Sequence, residues 1–513
     1  MKRALLSIQA AIISCTVLAD YEDYDGQDVS GMDFSGKSLI YSSWDNSTAT
    51  SAKFNNSDLT YANFYYADLT NANFSNATLK NARFRGAILK NAIFDGAHIN
   101  NANFRYTTNN GFTCTQLYST KSYKDYDLSE IRMSYCNLSG WNFNGIDLSN
   151  SELRNSNLNN VHFGGIFFQN TVKYTNLTGA DLEGSTINGV SFKDTIGFTT
   201  QQLESTLSFK NKDLSYISPC IDISSLDLTD FNISGTNFSD TNLRAEQLYS
   251  TANYKNKNLR NVGFYTGDYS GWNFVGQNLQ NTHWKKSIIT NADATGADLR
   301  GASFPFGDYT GEFITKNTIM SDGVIQNFSM DSASDSFSVR KYISEYGGDY
   351  QISAKIAEDA DISGGARLAL EEGAKLEVLS GQTLTVASSG RLAIHTDAAA
   401  STTVTVDSSA ALVFENGAVL EININCDEIS HDVLRIAVMD FDDGARIAGL
   451  DALVKGETVL LNVNGSEWLG EWDYALENNQ MLITVSLPEP AVCAAAIGAL
   501  ALGLALRYRN YKN

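Results

Sequence analysis

Between residues 29 and 104 the apolar positions of this chain recur every five residues. The stretch ADLTNANFSNATLKNARFRGAILKNAIF, residues 67 to 94, places alanine at 67, 72, 77, 82, 87 and 92. A large apolar side chain follows each alanine two positions later, alternately Leu and Phe. A helix repeats every 3.6 residues and a strand every two, so neither accounts for this beat. Counted by the large residue, the run goes from Val29 through Phe34, Leu39, Trp44 and Ala49 to Phe104 without slippage, which makes 16 units. A unit of five cannot bury its own apolar face, so it must coil until successive turns share a core. The candidate core is then Phe54, Leu59, Phe64, Leu69, Phe74, Leu79, Phe84, Leu89, Phe94, Ile99 and Phe104, with the alanines beside them. Asn, Asp, Ser, Thr, Lys and Gly face water, and the Asn or Gly after each centre suits a tight corner.

The Phe/Leu alternation predicts the number of sides. In a three-sided turn of 15 residues each Phe would lie on a Leu. In a four-sided turn of 20, Phe54, Phe74 and Phe94 fall in one column and Phe64, Phe84 and Phe104 in the opposite one. Like-on-like columns pack rings in offset contact without voids, which favours four sides.

The motif Ala-(Asp/Asn)-Leu/Phe-x-x, as in Ala67-Asp68-Leu69 and Ala72-Asn73-Phe74, resembles the pentapeptide-repeat family. That resemblance implies an all-β fold, a right-handed quadrilateral β-helix, over most of residues 29 to 304. The beat breaks after Phe104 and restarts at Leu128, Leu177, Ile223 and Leu259. Three breaks share a sequence: QLYSTKSYKDYDL from 116, QLESTLSFKNKDL from 202 and QLYSTANYKNKNL from 247. Each predicts a short helical turn and loop projecting from the wall, started by Thr115, Thr200 or Arg244. Tyr118, Tyr123, Tyr249 and Tyr254, with nearby lysines, would either stack against a partner or plug the wall where the ladder is interrupted; the plug is favoured.

From Gly364 the beat changes to eight, with strand pairs Leu368/Leu370, Leu376/Val378, Leu384/Val386 and Leu392/Ile394. Four extra residues intervene before Val404/Val406. Alternation with one buried face and glycines at the turns predicts a second β-solenoid-like or stacked-strand domain. The expected organisation is residues 1–19, 20–304, 305–350 as a connector, 351–486 as the acidic β-rich domain, and 487–513.

Both ends read as address labels. Lys2 and Arg3, an apolar run and Val17-Leu18-Ala19 form a secretory signal peptide pattern. Reading Ile12-Ile13-Ser14-Cys15 as a lipoprotein box, with Cys15 lipidated, lacks the leucine usual at its first position. At the other end Pro488-Glu489-Pro490 precede 16 apolar or small residues, then Arg507, Arg509 and Lys512. Those 16 residues would span roughly 24 Å as a helix, slightly short of a ~30 Å hydrocarbon core, with the basic tail in the cytoplasm. This order resembles the PEP-CTERM sorting signal of bacterial envelope proteins, which implies an inner-membrane anchor and an exosortase-type sorting transpeptidase as partner. A plain membrane anchor is the simpler alternative.

The net charge of −21 makes a basic nucleic-acid footprint unexpected. The acid is concentrated: residues 20–304 carry 28 acidic against 22 basic side chains, and residues 305–486 carry 29 against 10. The six cysteines show no ligand spacing, and a Cys114–Cys136 disulfide is conceivable but unsupported. The five histidines are dispersed, and no nucleophile triad, HExxH, P-loop or EF-hand occurs. Asp440, Asp442 and Asp443 form the densest acidic cluster but lack a glutamate at loop position 12. No catalytic residue, metal or cofactor is therefore expected. The reading is a non-catalytic, exported, envelope-anchored scaffold or adhesion module that meets an unknown surface protein or glycan. Two alternatives are a carbohydrate-active β-helix enzyme, for which a carboxylate–Lys/Arg groove would speak, and an acidic DNA mimic that binds topoisomerase.

Overall fold

The computed structural model describes residues 22–486 apart from 169–170, 305–308, 345–350, 398–401, 426–432, 443–444, 449–452, 454–458, 464–465, 468–471 and 478–479. The signal-peptide pattern, Cys15 and the sorting residues Pro488, Glu489, Pro490, Arg507 and Arg509 lie outside the described residues. The chain divides into two compact units, Met1–Asn256 and Lys257–Asn513.

In the first unit the five-residue beat becomes a coil with 20 residues per turn. Parallel bridges pair Asp23 with Ser43, Ser43 with Asn63, Asn63 with Arg83 and Arg83 with Asn103. Four pentapeptides therefore close each turn, and the coil is four-sided. The backbone dictates the repeat. Phe54 N–H donates to Asn73 O at 2.7 Å, and Asn73 N–H donates to Ala52 O at 2.9 Å. Ser57 N–H then turns back onto Phe54 O at 3.2 Å and closes the corner. Such a turn needs a positive φ at its third residue. Tyr41, Asn46, Ser51, Asn56, Tyr61, Tyr66, Asn71, Asn76, Asn81 and Gly86 supply it in sequence, with φ between 55° and 70°. Asn fills many corners because it tolerates the left-handed region better than most residues.

The centres from Phe54 to Phe104 are each no more than 1% exposed, and the alanines between them are buried as well. Phe54, Phe74 and Phe94 stack at 5.0 and 5.2 Å; Phe64, Phe84 and Phe104 stack at 5.0 and 5.1 Å. The two columns meet edge to face across the core, as Phe54 does with Phe64 at 5.8 Å.

The inserts are helical pairs laid into the wall rather than knobs projecting from it: α1 (Cys114–Ser119) and α2 (Lys121–Lys124), α3 (Thr200–Ser205) and α4 (Leu207–Lys210), α5 (Ala245–Ser250) and α6 (Ala252–Lys255). The N-caps are Thr113, Thr199 and Arg244. Two of the expected starts, Thr115 and Thr200, are thus already helical, because the threonine three residues before each glutamine completes a capping box. The shared QLxST motif has one task per residue. Gln116 Nε2 donates to Leu89 O and Ala92 O, both at 2.8 Å, and Gln202 and Gln247 repeat this on their own coils. Leu117, Leu203 and Leu248 fill the core. Thr120, Thr206 and Thr251 cap the second helix of each pair. Tyr118 Oη accepts from Asn142 N, and Tyr123 Oη donates to Asn142 O. Two tyrosines offered as partner contacts therefore hold the next coil, which is the plug reading. A hairpin not expected from the sequence, β1 (Gly165–Phe168) and β2 (Thr171–Asn176), lengthens another turn to 29 residues. Cys114, Cys136 and Cys220 are free thiols.

The second unit opens with further 20-residue coils, Asn258 pairing with Asn278 and Asn278 with Asp298. Pairing then continues through residues expected to be a connector. Tyr309–Thr310 lies beside Ser287–Ile288, and β3 (Ser336–Val339) beside β6 (Arg367–Leu370). From Ala354 the coil has three sides: β4 (Ala354–Ile356), β5 (Ala360–Ile362) and β6; β7 (Lys375–Val378), β8 (Thr383–Val386) and β9 (Arg391–Asp397); β10 (Thr403–Val406), β11 (Ala411–Phe414) and β12 (Val419–Asn425). Leu368 pairs with Leu392 and Leu384 with Leu412, so three eight-residue sides make a rung of 24, or 28 where the four extra residues enter. The end of the unit turns antiparallel, with β15 (Gln480–Ser486) between β13 (Val433–Phe441) and β14 (Trp472–Glu477).

A buried polar clasp fixes 340–343 and 352 to the coils of this unit. Arg300 is fully buried, forks onto Asp298 at 2.7 and 3.0 Å, and donates to Ile352 O at 2.8 Å. Gln280 and Asn281 pair with the backbone of Lys341 and Ile343.

Candidate functional site

The outer face of the β3-β6-β9-β12 sheet carries a cleft of about 750 Å³. Strand alternation points Leu368, Leu370, Leu392, Ile394, Leu420 and Ile422 into the core. The intervening residues face outward, and the parallel register aligns them. Arg367 lies on Arg391, Ala369 on Ala393, Ala393 on Glu421, and His395 on Asn423. Ala369 and Ala393 form a low floor over which the longer side chains converge; they are 3% and 0% exposed although they face away from the core.

Glu421 holds both arginines. Arg367 Nε and Nη2 approach its Oε2 at 3.1 and 3.0 Å, and Arg391 Nη1 approaches Oε1 at 3.1 Å. Arg367 Nη2 also lies 3.3 Å from His395 Nε2. A guanidinium only donates, so that nitrogen accepts and the imidazole is neutral with its proton on Nδ1. Burial first, then the Arg367 charge, holds the His395 pKa below its ordinary value against the opposing pull of Glu421. Farther along the cleft, burial pushes the Glu371 carboxyl up. Among the described residues no hydrogen bond joins this imidazole side chain to a hydroxyl, thiol or carboxylate, the contact that would activate a nucleophile. Among the residues lining the cleft, Arg367 is the cation, already paired with Glu421, and Glu371 and Glu372 are acidic, so the surface suits a hydroxylated ligand better than an acidic one.

None of these side chains stands out as a candidate when the sequence is read by motif, although a signal exists: ARLAL at 366 and GRLAI at 390 repeat the same outward arginine one rung apart. Of the histidines, His98 and His162 face solvent, as expected. Asp440 accepts from Gln480 Nε2 at 2.7 Å, and no cluster able to hold a metal occurs among the described residues.

The repeat itself decides the relationship. The family model described as Pentapeptide repeats matches in eight copies, over residues 45–76, 67–105, 127–170 and 273–304. The chain carries pentapeptide repeats. These segments cover less than half of it. No curated protein matches the chain. Solved pentapeptide-repeat structures are similar to it. A thylakoid-lumen protein of Arabidopsis thaliana is 22% identical over 32% of this chain and 70% of its own, with a TM-score of 0.12. HetL of the cyanobacterium Nostoc, involved in heterocyst differentiation regulation, is 15% identical over 61% and 98%, with a TM-score of 0.13. QnrB1, a plasmid-mediated fluoroquinolone resistance protein, is 14% identical over 58% and 92%, with a TM-score of 0.11. At these scores the superpositions carry no argument, and the roles of those proteins stay with them.

Proposed function

We propose that the protein is a non-catalytic scaffold, exported and anchored at the cell envelope, whose walls present an interaction surface. One observation carries this reading: the polar residues that interrupt the repeat are used to keep the wall closed. Gln116, Gln202 and Gln247 satisfy carbonyls of broken coils, and Tyr118 and Tyr123 grip Asn142. The export and sorting patterns at the two ends supply the address, and an exosortase-type transpeptidase is the partner they imply. Cell fractionation, with sequencing of both mature termini, tests it. The full chain is expected in the envelope fraction and a chain lacking 487–513 in the medium or periplasm. Mature protein in the cytosol would refute the address. Membrane retention of the shortened chain would point to lipidation of Cys15 instead.

A second reading, a carbohydrate-active β-helix enzyme, draws on the cleft lined by Arg367 and His395, with Glu421 and Arg391 tied to Arg367 at its side. New chain ends released from a polysaccharide, and lost in His395→Ala, would support it. No release leaves the scaffold reading.

A further inference from the structure

One corner of the first unit brings arginines and exposed tyrosines together; exposed tyrosines also stack elsewhere on this unit, Tyr41 on Tyr61 at 4.9 Å. Its outermost columns follow from the backbone ladder. Asn46 N–H donates to Tyr65 O, Tyr66 N–H to Arg85 O, Gly86 N–H to Arg105 O, Tyr106 N–H to Ser134 O and Tyr135 N–H to Arg154 O. Tyr65, Arg85, Arg105, Ser134 and Arg154 thus stack in one column, and Tyr66, Gly86, Tyr106 and Tyr135 in the next. Arg83 and Arg132 lie on the adjoining face, one on either side of Asn103 in the bridge register.

The arginines fall into two groups. Arg132 pairs with Glu152 at 3.0 Å, and Arg154 is neutralised by Asp181 and Glu183. Arg83, Arg85 and Arg105 form no ion pair and no side-chain hydrogen bond among the described residues. The Nε atoms of Arg85 and Arg105 are buried without a partner. Their guanidiniums instead lie over tyrosine rings: Arg85 is 5.7 Å from the Tyr106 centroid, and Arg105 is 5.9 Å from Tyr106 and 5.4 Å from Tyr135. Those two rings stack at 4.6 Å. Tyr66 covers Gly86, where a Cβ would come within 2.5 Å of its ring, and so extends the aromatic column by another coil. Tyr66 is 55% and Tyr135 39% exposed.

A guanidinium that lies over a ring can still present its terminal Nη fork to a planar oxyanion. Two such forks occur on consecutive coils, ~4.8 Å apart, the scale of one sugar ring. Exposed phenols beside them supply stacking and hydroxyl contacts. The chain as a whole carries −21, which repels duplex nucleic acid, with a charge every ~1.7 Å, more than a polymer with one charge per sugar. We propose that the corner formed by Arg83, Arg85, Arg105, Tyr66, Tyr106 and Tyr135 is a binding site for an acidic polysaccharide. This goes beyond the scaffold reading and does not depend on it, because purified protein binds or does not bind whatever its cellular address.

The test is affinity electrophoresis of the purified chain through gels holding polygalacturonate, neutral dextran or neither, with double-stranded DNA measured separately. Retardation by polygalacturonate, absent with dextran and reduced by salt, is expected. Arg85→Gln/Arg105→Gln should weaken binding by about tenfold or more for each fork removed. Arg85→Lys/Arg105→Lys should recover part of it, and the charge-matched Lys80→Gln/Lys90→Gln should reproduce none of the loss. Arg83→Gln, which touches neither ring, gives a second reading should the double variant fold poorly. No retardation of the wild-type chain, equal retardation of the arginine and lysine variants, or tighter binding of DNA would each overturn the assignment.

Discussion

Truncating one ring of the phenylalanine ladder measures how much the columns contribute. Phe74 is fully buried, stacks on Phe54 and Phe94 at 5.0 and 5.2 Å, and meets Phe64 and Phe84 edge-on at 5.7 Å each. A buried Phe→Ala change costs about 3–5 kcal/mol from lost transfer energy and the cavity left behind. The neighbours here are backbone ladders closed on every turn, which cannot collapse into the gap, so about 4–5 kcal/mol is expected for Phe74→Ala. Phe74→Leu keeps most of the volume and should cost about 1.5 kcal/mol. Phe167, 76% exposed on the hairpin, is the reference, and its alanine variant should move stability by no more than about 0.5 kcal/mol. Urea melts followed by circular dichroism give the midpoints. A double cycle on Phe74 and Phe94 should return a coupling of about 0.5–1.5 kcal/mol. If Phe74→Ala and Phe167→Ala shift the midpoint equally, the column is not the core and the reasoning fails.

Three further outcomes follow from named contacts. Gln116→Ala leaves Ala92 O unpaired, while Leu89 O keeps the Ala92 N–H, and should cost about 1–3 kcal/mol in the same melts, whereas Gln201→Ala, exposed on the next insert, should cost almost nothing. Arg300→Met strands Asp298 in the clasp and should cost about 3–5 kcal/mol, and Arg300→Met/Asp298→Leu should recover much of it. His395 has a folded pKa below its unfolded value, so its contribution is complete above the ordinary histidine pKa and is lost as pH falls through the folded one. Thermal melts from pH 7.5 down to 5 should therefore show a loss in the wild-type chain that His395→Gln reduces; parallel curves would contradict it.

The five-residue beat was legible because both inward positions are marked on face after face from Ala62 to Phe104, one by alanine and one by a large apolar residue. The number of sides was legible because Phe and Leu alternate, which only a 20-residue turn converts into uniform columns. In the second unit the strands were readable but not the three-sided rung, since the four residues inserted after β9 shift the 24-residue recurrence just where it would be noticed. The insert helices were visible, but their caps lay one or two residues earlier, at Thr113 and Thr199, because a capping box is set by the glutamine that follows. Residues 309–339 showed no repeat, yet they pair in register with the coils on both sides, because parallel pairing uses backbone groups that any side chain permits. Arg300 occupies a slot that faces water in every ideal repeat; only the distant 340–352 segment buries it. The Arg367–Glu421 cleft needs three rungs in register before its members meet, and the arginine corner needs the count of four sides.

The four-sided register is the claim on which these readings rest, and engineered disulfides address it most directly. Asp58 and Thr78 are bridge partners one turn apart. Asp58→Cys/Thr78→Cys should oxidise to an intramolecular disulfide, recovered as a linked peptide pair by mass spectrometry, while Asp58→Cys/Asn73→Cys, spaced for a three-sided turn, should stay reduced. Bridging of the second pair and not the first would contradict the fold.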